Sequence, residues 1–137
     1  MIRVLFVCVE NSNRSQMAEA FARIHGDERV AAYSAGSNPS GTVNSRAVRS
    51  MAAVGYDLGS HRSKSLDELP AAEFDVVVTM GCGDACPNVR ARQRFDWEIP
   101  DPRDLPPAEF DVVRDRIESE VKHLLSSLGV SENPANE

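Results

Sequence analysis

Residues 4–21 read VLFVCVENSNRSQMAEAF. Arg3 to Val9 is a continuous β-prone run, the mark of a strand covered on both faces. A polar knot, Glu10-Asn11-Ser12-Asn13-Arg14-Ser15, interrupts it. From Ser15 to His25 the residues Met17, Ala18, Phe21, Ala22 and Ile24 recur at helical spacing, and Gly26 stops the helix. A buried strand that passes through a short polar loop into a helix is the first half of a βαβ unit. Cys8 stands at the junction.

The same alternation continues outward from this stretch. Val30 to Ser34 reads as a second strand, followed by the turn-rich AGSNPSG. Asn44 to Val54 reads as a helix with Ala47, Val48, Met51 and Ala52 on one face, ended by Gly55. YDLGSHRSKSLDEL is a polar connector with a short helical turn, and FDVVVT (74–79) is a further apolar strand. Gly81 to Pro87 is a Gly- and Cys-rich loop, and RFDWEIPDPRDLPP reads as a surface loop with an edge strand near Phe95. Glu109 to Leu128 closes the chain as a helix, apolar at Phe110, Val113, Ile117, Val121, Leu124 and Leu125. Strands alternating with helices predict an α/β fold of three α/β/α layers around a four-stranded parallel sheet. In such sheets ligands bind beyond the carboxyl ends of the strands, where Cys8 and Cys82 both fall.

At 137 residues the chain fits one domain, 1–137, with 129–137 read as a flexible tail. Its 42% apolar and 26% charged content is that of an ordinary globular protein, and no run approaches the ~20 apolar residues of a membrane span. Met1-Ile2-Arg3 leads straight into a strand with no signal-peptide pattern, so a cytoplasmic location is expected. A net charge of −6 argues against nucleic-acid and anionic-membrane partners. It leaves room for a small anion held by a local nest of main-chain N–H groups. Nothing in the pattern calls for an obligate oligomer, so a monomer is expected.

The spacing Cys8-x5-Arg14-Ser15, set between strand and helix, suits an oxyanion cradle. The loop Val9, Glu10, Asn11, Ser12, Asn13 and Arg14 can turn its N–H groups inward. The first turn of the helix adds unpaired donors and the positive end of its dipole. Arg14 can bind two anion oxygens through its planar fork. A cysteine at the floor of such a cradle is expected to stand as a thiolate, the nucleophilic form. Ser15 is placed to hydrogen-bond that sulfur and Asn11 to brace the loop. The competing reading is a buried structural cysteine at a strand end, which is common for free Cys. The strand before, the helix after and the Arg-Ser pair favour catalysis.

FVCVENSNRSQMAEAF resembles the active-site loop of the low-molecular-weight protein tyrosine phosphatase superfamily, and within it is most similar to the arsenate reductases that use thiol relays. SAGSNPSGTVNSRAV, GYDLGSHRSKSL, DVVVTMGCGDACP and DWEIPDP resemble successive blocks of those reductases, so the resemblance reaches to about Leu128. It implies an enzyme that reduces arsenate to arsenite, in which Cys8 attacks arsenate, Cys82 attacks the Cys8 sulfur and Cys86 then attacks Cys82. Thioredoxin would recycle the disulfide, or else mycoredoxin or a low-molecular-weight thiol such as mycothiol or glutathione. Gly81 and Gly83 would let the cysteine loop rearrange. A zinc half-site is the competing reading of Cys82 and Cys86, but a lone C-x3-C without a second ligand pair is a weak zinc signal. No cofactor and no metal are expected. Relatives commonly space the two relay cysteines more widely, and many carry a cysteine where this chain has Asn13.

The family pattern makes the Asp of Asp101-Pro102 the general acid for the leaving oxygen. On the residues alone a solvated turn aspartate is an equal reading, and Asp104 is a local competitor. Some relatives bind potassium behind the loop through positions matching Asn11, Glu19, Ser34 and an aspartate. Here that last position is Lys64, whose ammonium could take the cation's place and pair with Glu19, so no potassium requirement is expected. An exposed Lys64 is the plain alternative. His61 reads as a turn residue, His25 and His123 as residues of helix ends or solvated faces, and Trp97 as packing for the proline-rich loop. Two further readings stand beside the reductase. One is a phosphatase that hydrolyses phosphate monoesters through a phosphocysteine. The other is a non-catalytic oxyanion sensor or zinc module. Neither absorbs all three cysteines together with Arg14 and Asp101.

Overall fold

The computed structural model describes residues 1–70, 73–81 and 89–130. Four parallel strands, β1 (Ile2–Cys8), β2 (Val30–Gly36), β3 (Phe74–Thr79) and β4 (Ala91–Asp96), lie in the order β2-β1-β3-β4. The helices are α1 (Arg14–Gly26), α2 (Ser45–Ala52) and α3 (Pro107–Ser127), with 3₁₀ turns at Asp27–Arg29, Leu58–Ser60 and Leu66–Glu68. The α/β class and the parallel sheet are those expected. No helix among the described residues is long and apolar enough to cross a membrane.

β1 is central because its residues from Val4 to Cys8 are all buried and alternate between two clusters. Val4, Phe6 and Cys8 join Met17, Phe21, Ile117, Val121 and their neighbours under α1 and α3. Leu5 and Val7 meet Ala35, Phe74 and Val77 on the other side, with Tyr33, Leu66, Leu69 and Val89 packed against them. Among the described residues that second layer is built of turns and loop rather than full helices. All six apolar positions expected on α3 are buried. Each large side chain so enclosed contributes about 1.5–3 kcal/mol of transfer free energy.

The strand order places the loop that follows Cys8. From β1 the chain crosses through α1 to β2, and from β2 it crosses back through α2 to β3. The direction of winding therefore reverses between β1 and β3, and a crevice opens at their carboxyl ends. Val7 pairs with Thr79, and Met80 N–H donates to the Val7 carbonyl at 2.9 Å.

Several local expectations are corrected. β2 runs two residues past Ser34 to Gly36, because Gly36 N–H is captured by the Lys64 carbonyl at 2.9 Å. α2 ends at Ala52, which is exposed, and buries Ser50 because its hydroxyl donates to Asp111 of α3 at 2.6 Å. Ile24 is exposed rather than part of the α1 core face. The edge strand expected near Phe95 is β4, which starts earlier, at Ala91, while Ile99 and Pro102 of the proline-rich loop are buried rather than on the surface. Of the residues 129–137 read as a tail, Gly129 has φ +83 and Val130 N–H returns to the Leu125 carbonyl at 2.9 Å, burying Val130, while 131–137 lie outside the described residues.

Candidate active site

Cys8 ends β1, 3% exposed, and its Sγ lies 2.8 Å from Ser15 Oγ in the first turn of α1. The loop between them turns its carbonyls outward. Val9 O accepts from Asn38 N–H at 2.8 Å, and Glu10 O from Ser40 N–H and Ser63 Oγ, both at 3.0 Å. Asn11 O accepts from Gln16 Nε2 at 3.1 Å, Ser12 O from Asn44 N–H at 3.1 Å and Asn13 O from Met17 N–H at 3.0 Å. Among the described residues nothing accepts from the main-chain N–H groups of Glu10 through Ser15. Carbonyls held outward and N–H groups left unused are the arrangement of an anion nest, with the α1 dipole adding to it. The turn needs Asn11 at φ 49, a left-handed conformation that Asn tolerates better than most residues. It also needs Gly36, where an added Cβ would stand 2.6 Å from Val9 O.

Asn11 is completely buried and braces the loop from within. Its Oδ1 accepts from Lys64 N–H (2.9 Å) and Gln16 Nε2 (2.8 Å), and its Nδ2 donates to Ser15 Oγ (2.8 Å). Behind it Glu19 is 3% exposed, and its carboxylate has four neighbours. Ser34 Oγ donates at 2.7 Å and Arg23 Nε at 3.0 Å, while Lys64 Nζ lies at 3.5 Å and His61 Nδ1 at 3.4 Å. Lys64 is therefore seated beside Glu19 and Ser34 (3.3 Å to Ser34 Oγ) rather than free in solvent. Among the described residues no group of three or more His, Cys, Asp or Glu side chains could hold a metal.

Arg14 is half-buried at the rim, and its Nη1 donates to the Ile99 carbonyl at 2.9 Å. This bond ties the proline-rich loop to the cradle. Asp101 sits exposed on that loop, its Oδ1 accepting from Arg103 N–H at 3.1 Å. Arg103 Nη1 reaches the Glu10 carboxylate at 3.0 and 3.2 Å, so one arginine links the Asp101 loop to the anion loop. Asn13 is buried, and its Oδ1 is the one buried side-chain polar atom among the described residues without a partner. Gly81, at φ +73, lies so near Arg14 that an added Cβ would be 3.1 Å from Nη1. Cys82 and Cys86 lie outside the described residues.

Five residues of this site were not singled out from the sequence: Gln16, Arg23, Ser63, Tyr56 and Arg103. His61 is the turn residue expected, its N–H closing the 3₁₀ turn on the Leu58 carbonyl at 3.0 Å, but its side chain is only 6% exposed and bonds Gln16 and Tyr56, which the sequence did not signal. Burial pushes the His61 pKa below its ordinary value; Glu19 opposes this, and Arg23 and Lys64 reinforce it. His25 bonds Glu118 at the end of α1, and Trp97 packs on Phe6 with ring centroids 5.9 Å apart. The only available signal for Gln16 was a polar residue on the inward side of a helix otherwise lined by Met, Ala and Phe.

Comparison with known proteins follows the same outline. The family model described as low molecular weight phosphotyrosine protein phosphatase matches residues 3–133. A glutaredoxin arsenate reductase from Synechocystis is 34% identical over 131 residues, 93% of this chain and 99% of the relative. A solved structure described as an arsenate reductase in the phosphate binding state superposes with a TM-score of 0.85 at 34% identity, covering 96% of this chain and all of that one. A thioredoxin-dependent arsenate reductase from Corynebacterium glutamicum superposes at 0.77 with 28% identity, over 94% of this chain and 62% of that one.

Proposed function

The chain belongs to the low molecular weight phosphotyrosine protein phosphatase family, and from that premise we propose that it is an arsenate reductase in which Cys8 is the nucleophile and a thiol relay supplies the electrons. The observation that carries this reading is the 2.8 Å contact of Cys8 Sγ with Ser15 Oγ, beneath a loop whose main-chain donors are left unused.

Each step balances. Arsenate enters the nest with its charge on the N–H groups and Arg14. The Cys8 thiolate forms an S–As bond as one As–O bond breaks, and Asp101 protonates the departing oxygen, which leaves as water. Cys82 thiolate then attacks the Cys8 sulfur. An S–S bond forms, the S–As electron pair passes to arsenic, and As(V) leaves as As(III), arsenite. Cys86 attacks Cys82 in turn, which frees Cys8 and leaves a Cys82–Cys86 disulfide for an external dithiol. Two relatives carry different donors in their names, glutaredoxin and thioredoxin. We take thioredoxin as the donor because the relay would end in an internal disulfide, the substrate a dithiol protein reduces.

Arsenate-dependent NADPH oxidation, coupled through thioredoxin and its reductase, tests the reading with single Cys→Ser variants. Cys8→Ser should abolish turnover, and Cys82→Ser and Cys86→Ser should each stop multiple turnovers. Full turnover by both of the latter would refute the relay. Survival of Cys86→Ser alone would move the resolving role to a small thiol such as mycothiol or glutathione. The family's own description favours phosphate monoester hydrolysis as a second reading, and p-nitrophenyl phosphate cleavage without arsenate reduction would select it.

A further inference from the structure

The proton positions around Cys8 follow by elimination from one fixed donor. The Lys64 main-chain N–H can only donate, so the Asn11 atom it meets at 2.9 Å is the oxygen. Asn11 Nδ2 then faces Ser15 Oγ and donates to it at 2.8 Å. With that acceptor site filled, the Ser15 hydroxyl hydrogen is available to the Cys8 sulfur. On the other side Gln16 places one amide atom against three oxygens: Asn11 Oδ1 at 2.8 Å, Arg62 O at 3.0 Å and Asn11 O at 3.1 Å. That atom must be nitrogen, so Gln16 Oε1 faces His61 Nδ1 at 2.9 Å, and Nδ1 carries a hydrogen. Glu19 Oε2, 3.4 Å from the same nitrogen, asks for the same hydrogen. A neutral imidazole with its proton on Nδ1 accepts at Nε2, and there Tyr56 OH donates at 2.6 Å.

We propose that Tyr56 and His61 are positioning residues which hold the Cys8 sulfur in its nucleophilic form through five hydrogen bonds that all run one way, Tyr56 to His61 to Gln16 to Asn11 to Ser15 to Cys8. Aligned hydrogen bonds polarise one another, so each donor in the series strengthens the last O–H···S contact. Two other facts agree with this direction. Burial holds the His61 imidazole toward its neutral form and the Tyr56 hydroxyl toward its protonated form. The charged groups around His61 are Glu19 and Arg23 from α1, Asp57 from the turn before it and Lys64 from its own segment. The outer end opens into a cavity of about 320 Å³ lined by Tyr56, His61, Arg23 and Lys64. A substitution there touches neither the sulfur nor the anion loop.

The inference rests on Cys8 being the nucleophile proposed above, and its test does not use arsenate. In a Cys82→Ser/Cys86→Ser background, the iodoacetamide alkylation rate of Cys8 is followed against pH. Tyr56→Phe and His61→Ala should move the half-maximal rate to higher pH by about half to one unit, a three- to tenfold slower reaction on the rising limb. His61→Asn, which keeps an N–H near the Nδ1 position, should recover part of the loss. Adding Tyr56→Phe to His61→Asn should then change nothing, because the outer link is already gone. Ser60→Ala lines the same cavity off the chain and should leave the profile in place. Folded Tyr56→Phe protein with an unmoved profile, or a melting shift alone, would overturn the proposal, and Tyr56→Phe carries the test if His61→Ala does not fold. Arsenate turnover of the unsubstituted enzyme is measured separately, so loss of the reductase reading and loss of this one are distinguishable.

Discussion

Lys64 Nζ lies 3.5 Å from Glu19 Oε1, and both groups reach Ser34 Oγ, at 3.3 and 2.7 Å. An ammonium on a side chain thus neutralises a carboxylate buried directly behind the anion loop. Turnover is expected to be the same in potassium and sodium chloride at equal ionic strength, and a twofold or greater activation by potassium would count against this. Lys64→Met should cost about 1–3 kcal/mol in urea unfolding, since Glu19 keeps Arg23 and Ser34 but loses its nearest lysine.

His61 gives stability a direction with pH. Its folded-state pKa lies below 6.5, so between that value and 6.5 the unfolded chain binds more protons than the native one. The contribution is therefore complete above about pH 6.5 and declines as pH falls through the window, by at most about 1.4 kcal/mol per pH unit for one group. Urea midpoints taken from about pH 7.5 down to about pH 5, above the range where carboxylates titrate, should fall. In His61→Asn that slope should flatten, and an unchanged slope would assign it elsewhere.

Gly36→Ala should damage the loop without touching the sulfur. The new methyl would stand 2.6 Å from Val9 O and 3.0 Å from Asn11 N, and both atoms belong to backbone that has little room to move. We expect a loss of about 1–3 kcal/mol and a much smaller rise in melting temperature on adding phosphate. A variant that melts normally and still responds to phosphate would show the loop to be softer than its contacts imply.

Asp101→Asn separates binding from proton transfer. If this carboxyl protonates the leaving oxygen, kcat should fall about 10²- to 10⁴-fold while phosphate still raises the melting temperature as before. Asp104→Asn should have little effect. The reverse ranking would hand the acid role to Asp104.

The β1–loop–α1 unit was legible because one short stretch carries both the fold and the chemistry. α3 was legible because six apolar residues at helical spacing fit only one buried face. β4 was legible as an edge strand near Phe95 but its start at Ala91 was not, since five of its six residues are exposed and an edge strand needs no apolar alternation. The network behind the loop was hidden for a different reason. Gln16 meets His61 and Arg62, and Arg103 meets Glu10, across 45, 46 and 93 positions of sequence, and nothing local marks a residue for such a partner. Lys64 was readable only through the family pattern, because a lysine in a polar connector has no signature of burial.

A receptor made of peptide N–H groups recognises geometry and charge and is blind to which element sits at the centre of the tetrahedron. Phosphate, far commoner in cells, should enter as readily as arsenate and act as a competitive inhibitor. Discrimination then falls to redox chemistry after binding: arsenic can accept the electron pair of its bond to sulfur, whereas phosphorus in the same position waits for water.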